Sequence, residues 1–396
     1  MDACPAFNRP NMPGEVLLSQ YRPGMPFFFA SPSGTLLIPD AAQCDPLPGE
    51  SLTTLLPTLR HWLQQAPDGA CIAGAIPFGR QEPVRLWLAK APRFGQPLQK
   101  ESHSRPLASQ AQFYQSVPSA EDFEAAVGLA RDALRQGPVQ KVVLGRQLQI
   151  ETRDAVDQAA LLRHLALAHG AGYRFALGLA AQDAPASLMG ASPELLIACH
   201  DGQFEALPLA GTLARGSHTQ EDAQQAQRLL ASRKDQHEHA LMIQGIREAL
   251  QGLGCQTWIP ETPQLIPTPT LWHLATPIRG RLPASHLGVL DLLQCLHPTP
   301  AVGGYPTEPA LALMDRLEHD PRGLFTGAVG WCDAQGNGEW AVTIRCAQVQ
   351  GNRATLYAGA GVVADSDPAA ERRETAAKFQ TLLGALGLSG WTEGLA

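Results

Sequence analysis

Apolar and polar positions alternate along this chain with two periods, and together they sort it into strands and helices. Residues 27–38 (FFFASPSGTLLI), 71–79 (CIAGAIPFG) and 85–94 (RLWLAKAPRF) are apolar runs broken by Gly and Pro, and they predict strands. Residues 51–66 predict a helix with an early proline, and the polar residues 95–112 predict a connection. Ser119 followed by Asp122 is a capping-box pattern; Phe123, Val127, Ala130 and Leu134 then mark one apolar helix face, which Gly137 and Pro138 end. In KVVLGRQLQI (141–150) the period changes to two. Val142, Leu144, Leu148 and Ile150 share one strand face, and Lys141, Val143 and Gly145 share the other. A helix over 155–168 and a strand over 173–180 follow. ELLIAC and FEALPLAG predict two strands around the turn HDGQ, and Thr219 to Leu250 reads as one long helix. Residues 327–332 and 340–349 predict paired strands around DAQGNG. Residues 357–363 (YAGAGVV) are small and apolar; Asp367 is then an N-cap and Pro368 the first residue of a last helix.

Composition narrows the function classes. The chain has 396 residues, 44% of them hydrophobic and 17% charged, enough for a large core. That length admits two domains, yet sheet-based enzymes of this size often form one. The net charge of −7 leaves no basic footprint for nucleic acid or an anionic membrane. Eight cysteines are scattered without a CxxC pair, which argues against zinc. No basic segment followed by an apolar run opens the sequence, so the thiols read as reduced and the protein as cytoplasmic. No stretch approaches the length of a membrane span, and there is no fixed-period repeat.

Candidate chemistry sits at a few positions. Glu371, Glu374 and Lys378 fall at i, i+3 and i+7 of the last helix and share a face; Asp235 and Glu238, in KDQHEH, repeat the i, i+3 acidic spacing on another helix. Two helices that each present a carboxylate pair can clamp one hard cation, and Mg²⁺ suits oxygen ligands with places left for water and substrate. Each pair alone also fits a solvated helix face. His237 and His239 face elsewhere on their helix and read as capping or packing residues. Lys141 starts a strand on a face with small neighbours, a place that also suits an edge lysine turned to water. Glu194 opens an apolar strand, where burial would raise its pKa and make it a general acid; an exposed strand end is the alternative. Arg345 lies among apolar and small residues and needs a carboxylate partner. His273 is a pocket residue or a satisfied core histidine, and Gly211-Thr212 leaves backbone open to a ligand.

KVVLGR, GASPELL, PLAGT, KDQHEH, LWHLATPI, LHPTPAVGGYP, GLFTGAVGW, GNGEWAVTIRCA, YAGAGVV and ERRETAAK follow one another over about residues 115–390. Together, in this order, they resemble the chorismate-utilising enzymes: anthranilate, aminodeoxychorismate, isochorismate and salicylate synthases. The details look most like isochorismate synthases of siderophore or menaquinone pathways. Lys141 matches the lysine that isochorismate and salicylate synthases use to activate water, where amine-transferring members carry glutamine and draw ammonia from a glutaminase. Ala210 stands where aminodeoxychorismate synthases carry lysine. Departures are Val302 for leucine, Gly145 for alanine or serine, and Phe325 for tyrosine; Phe325 cannot donate a hydroxyl hydrogen bond.

The resemblance implies an α+β fold of two large, mostly antiparallel β-sheets packed together with helices outside. Residues 1–396 would form a single domain, with 1–115 completing the sheets and 116–390 carrying the motifs. It implies chorismate as substrate, Mg²⁺ as cofactor, no nucleic acid, no membrane, no glutaminase subunit and a monomer. Lys141 would be base and Glu194 acid. Glu238 and Glu374 would ligate Mg²⁺ directly, and Asp235 and Glu371 would hold metal-bound waters. Arg345, Lys378 and the backbone at Gly359 and Gly361 would hold a substrate carboxylate, with Gly211, Thr212, His273 and Ala301 lining the ring pocket. The reaction implied is chorismate to isochorismate; salicylate synthase, which also eliminates pyruvate, is the nearest alternative. Anthranilate synthesis and a catalytically silent binding subunit are disfavoured by Lys141, Glu194 and the four carboxylates.

Overall fold

A computed structural model describes residues 12–99, 105–168, 172–179 and 184–389. Part of the expected connection over 95–112, and Ala180 of the expected strand, lie outside the described residues.

The described strands form three sheets with antiparallel pairing throughout. The largest runs from Gly304–Tyr305 through Lys141–Thr152, Arg353–Val362, Cys346–Gln350, Ala186–Ser192, Tyr173–Leu179, Phe27–Ala30 and Thr35–Ile38 to Arg93–Gly95, with Ala111–Val117 also paired to Lys141–Thr152. The second runs from Gln256–Trp258 through Ile278–Arg281, Gln203–Leu207, Leu195–His200, Gly338–Val342, Ala328–Asp333, Cys71–Ile76 and Arg85–Ala89 to Cys44–Pro46. Strand alternation explains the layering. Phe27 and Phe29 point into the core between the two large sheets, where they meet Ala73, Trp331 and Ala341; Phe28 and Ala30 point outward onto helices. Ile72 and Ile76 likewise face the outer core of the second sheet, while Cys71, Ala73 and Ala75 face inward. With both faces covered, these strands read as unbroken apolar runs. The expected α+β class with helices outside is what the chain adopts.

A third sheet, Leu209–Ala214, Leu271–Ala275 and Gln264–Pro267, was not legible in the periodicity. Three expected elements are broken, each for a local reason. FEALPLAG divides at Pro208, which has no N–H for a sheet ladder, so Gln203–Leu207 stays in the second sheet and Leu209–Ala214 enters the third. Trp340–Val349 divides after Val342. Arg345 takes φ +50°, and Gly338–Val342 and Cys346–Gln350 belong to different large sheets. Arg345 is therefore in a sheet-switching bend, not inside a strand. The helix expected over Thr219–Leu250 divides at Ser232, which leaves helical geometry at ψ 109° and accepts the backbone N–H of Asp235, starting a new helix, Arg233–Gly252. The other caps agree with expectation: Ser119 starts Ala120–Gln136, and Asp367 with Pro368 starts Pro368–Leu386.

Candidate active site

The site forms where the third sheet, the end of the Lys141–Thr152 strand and the two acidic helices meet. Glu194, Gly211, Thr212, Glu238, His273, Ala301, Arg345, Gly359, Gly361, Glu374 and Lys378 all line one cavity of about 580 Å³, counting its mouth. Lys141, Asp235 and Glu371 lie directly behind it. The Lys141 side chain is fully buried and its Nζ is 3.2 Å from Glu238 Oε1, which rules out an edge lysine turned to water. Asp235 packs beside Gly211. Glu371 is 1% exposed.

Glu194 is not exposed, and among the described residues it forms no ion pair. The residue is 3% exposed, and burial pushes its pKa up to about 7; a long hydrogen bond from the Leu209 N–H (3.4 Å) and the charges of Lys141, Arg345 and Lys378 pull only partly the other way. A carboxyl with that pKa is protonated about half the time at neutral pH, and that form can donate its proton.

Arg345 presents a buried guanidinium to the cavity, and its lowered pKa of about 10 leaves it charged. Among the described residues it forms no salt bridge, so the carboxylate partner expected from sequence is not supplied by the described protein residues. The Lys378 ammonium is anchored by Glu374 (2.6 Å) and by the Gly359 carbonyl (2.7 Å). These two cations define an anion-binding end.

His273 Nδ1 is 3.0 Å from Thr212 Oγ1, while its buried Nε2 has no hydrogen-bond partner among the described residues. Burial, reinforced by Arg345 and Lys378, holds its pKa well below the ordinary value, so the ring is neutral. Gly211 sits at a bulge with φ +79°, where the strand skips register between Ala210 and Thr212. His239 bridges the Ala210 carbonyl and Thr276, a packing role as expected; His237 is exposed.

The acidic pairs do converge across two helices. Burial works against charge on Glu238, yet Lys141, Lys234 and Lys378 together hold its carboxyl below the usual range. Among the described residues no three acidic, histidine or cysteine side chains already stand as an ion cage. Glu238, Glu371 and Glu374 are each paired with a lysine instead. Two observations nonetheless fit a divalent cation. Glu371 Oε2 is buried with no hydrogen-bond partner among the described residues, and Gly361 leaves room for the Glu238 carboxylate where a Cβ would lie 2.0 Å from Oε1. Lys234, in the first turn of the KDQHEH helix and bridging to Glu371, has no expected role from sequence. Its i, i+4 spacing to Glu238 was the available signal. Phe325 stacks on Tyr357 at 5.2 Å, and both rings close the apolar side of the cavity.

The chain is similar to known proteins over most of its length. The profile of the family described as "Chorismate binding enzyme" matches residues 64–387. The chain is 40% identical over 391 residues to isochorismate synthase DhbC of Bacillus subtilis, covering 94% of this chain and 96% of that one. It is 40% identical over 321 residues to isochorismate synthase EntC of Escherichia coli K12, covering 80% and 81%. A crystal structure of a DhbC from Bacillus anthracis superposes with a TM-score of 0.88 at 37% identity, covering 95% of this chain and 99% of that one.

Proposed function

The chain belongs to the chorismate-binding enzyme family, and from that premise we propose that it is an isochorismate synthase. It is an isomerase that adds water at C2 of chorismate and removes the C4 hydroxyl. The observation that carries this reading is Glu194: a buried carboxyl with a pKa near 7 in the same cavity as two cations suited to a substrate carboxylate.

In the proposed mechanism Lys141 takes a proton from water as the oxygen attacks C2. The ring double bond shifts, and the C4 hydroxyl leaves as water with the proton of Glu194. One water enters and one leaves, so substrate and product are isomers. Arg345 and Lys378 hold the substrate's side-chain carboxylate, with the backbone at Gly359 and Gly361 close against it. Gly211, Thr212, His273 and Ala301 face the ring. Neutral His273 offers Nε2 to a hydroxyl without adding charge. Phe325 and Tyr357 exclude bulk water from one side, which favours the protonated form of Glu194.

Glu238 and Glu374 would hold Mg²⁺ directly, and Asp235 and Glu371 would hold its waters; the ion would neutralise the ring carboxylate and fix its orientation. We further read the enzyme as a cytoplasmic monomer. Lys141 supports activity without a glutaminase subunit. No helix among the described residues is long and apolar enough to cross a membrane.

The test is product identification. The purified protein, given chorismate and MgCl₂, should yield isochorismate by NMR and chromatography. Salicylate plus pyruvate, or turnover that depends on ammonia, would replace this reading.

A further inference from the structure

Lys234 occupies an unusual place. It lies in the first turn of the Arg233–Gly252 helix, where the helix dipole disfavours a positive charge. Its Nζ is 2.8 Å from Glu371 Oε1 on the opposite helix, and 3.6 Å from both Asp235 Oδ1 and Glu238 Oε2 on its own. Three of the four carboxylates assigned to the cation thus face one ammonium. The fourth, Glu374, is paired with Lys378.

We propose that Lys234 is a built-in counter-ion that competes with the divalent cation for these carboxylates, and that cation binding drives its side chain out to solvent. The proposal rests on the reading of a cation between the two acidic helices. Four carboxylates drawn together without compensation would repel one another, and the Lys234 ammonium offsets that repulsion while bridging the two helices. A dication on the same oxygens would place like charges a few ångströms apart in a poorly screened site, so both cannot stay. The lysine has a way out. Its side chain is 23% exposed on a flexible four-carbon stem, whereas Lys141, the other partner of Glu238, is fully buried. The state competent for the cation is then the fraction in which Lys234 has withdrawn, and the apparent affinity is reduced by that fraction.

Two measurements test this. The first is calorimetric titration of Lys234→Met and wild type with MgCl₂, with melting temperatures in EDTA. Lys234→Met should bind Mg²⁺ about ten-fold tighter, as expected if the withdrawn fraction is about a tenth in wild type. It should melt lower than wild type in EDTA and regain the difference in saturating Mg²⁺, while Lys234→Arg should behave like wild type. The second uses wild type alone, so that a poorly folding variant does not decide the outcome: acetylation of Lys234, followed by peptide mass spectrometry, should speed up when MgCl₂ is added. Unchanged or weaker Mg²⁺ affinity in a folded Lys234→Met, or acetylation that Mg²⁺ leaves unchanged or slows, overturns the proposal. Wild type that takes up no Mg²⁺, with or without chorismate, overturns the underlying cation reading instead.

Discussion

A single buried carboxyl sets the pH behaviour expected of this enzyme. Glu194 has to carry its proton to act as acid, and burial raises its pKa from 4.5 to about 7 against the opposing pull of Lys141, Arg345 and Lys378. The log of kcat/KM should therefore fall as pH rises through about 7, a limb set by the free enzyme. The same shift has a stability consequence. Between pH 4.5 and 7 the folded chain holds a proton that the unfolded chain has released, so stability declines with rising pH across that window. Glu194→Gln keeps the shape and cannot ionise. It should abolish turnover yet gain about 1–3 kcal/mol over wild type at pH 8, and almost nothing at pH 4.5. Urea melts at the two pH values check this; equal melts at both would remove the argument for a protonated Glu194. Arg345 gives a contrasting case, in binding. With no protein salt bridge among the described residues, its charge awaits a ligand carboxylate. Arg345→Met should weaken chorismate binding about 100-fold, the scale of a charge-assisted, bidentate contact, with a smaller effect on melting temperature. Direct titration with chorismate would measure the loss.

At the scale of elements, the site depends on how closely a strand and a helix approach. Gly361 is the next-to-last residue of the Arg353–Val362 strand, against the KDQHEH helix, and a methyl group there would lie 2.0 Å from Glu238 Oε1 and 3.2 Å from Lys141 Cε. Gly361→Ala should break the Lys141–Glu238 pair and lower kcat by about 100-fold or more, as misplacements of about 1 Å do, while costing only about 1–3 kcal/mol of stability. Kinetics and a thermal melt on the same preparation separate the two effects; full activity would mean that this contact is irrelevant. Sequence reasoning reached these elements unevenly, for physical reasons. Helices with a capping side chain and an apolar stripe, such as Ala120–Gln136 and Pro368–Leu386, were legible because both signals are local. The switches at Pro208 and at Thr343–Arg345 were not, because the apolar run continues on both sides and only the choice of partner strand changes. The break at Ser232 was hidden because polar periodicity carries on through it, although a serine three residues before an acidic one is itself a cap signal. The candidate side chains came from motifs. What spacing could not give was which of them share a cavity, or that Lys234 would reach across to Glu371 on the other helix.

For the whole molecule, the question is whether residues before the first motif are an independent unit. They carry no candidate chemistry, yet their strands are divided between both large sheets. Phe27–Ala30, Thr35–Ile38 and Arg93–Gly95 extend the first, and Cys44–Pro46, Cys71–Ile76 and Arg85–Ala89 extend the second. Each group joins a strand from the motif-bearing part, Phe27–Ala30 against Tyr173–Leu179 and Cys71–Ile76 against Ala328–Asp333. Phe27, Phe29, Leu36, Ile38, Cys71 and Ala73 also fill the layer between the sheets, facing Phe175, Leu188, Trp331 and Ala341. A fragment of residues 116–396 would expose strand edges in both large sheets and about half of that layer. Losing several fully buried large side chains, at about 1.5–3 kcal/mol each, removes an amount comparable to the 5–15 kcal/mol that holds a typical domain folded. The fragment should therefore be insoluble, or show no cooperative thermal transition and no chorismate binding, even though every proposed catalytic residue is present. Calorimetry of the purified fragment beside the full chain reads this directly. A fragment with its own sharp transition would make the first 115 residues a separate domain, and the inter-sheet core could not be the common support of both halves.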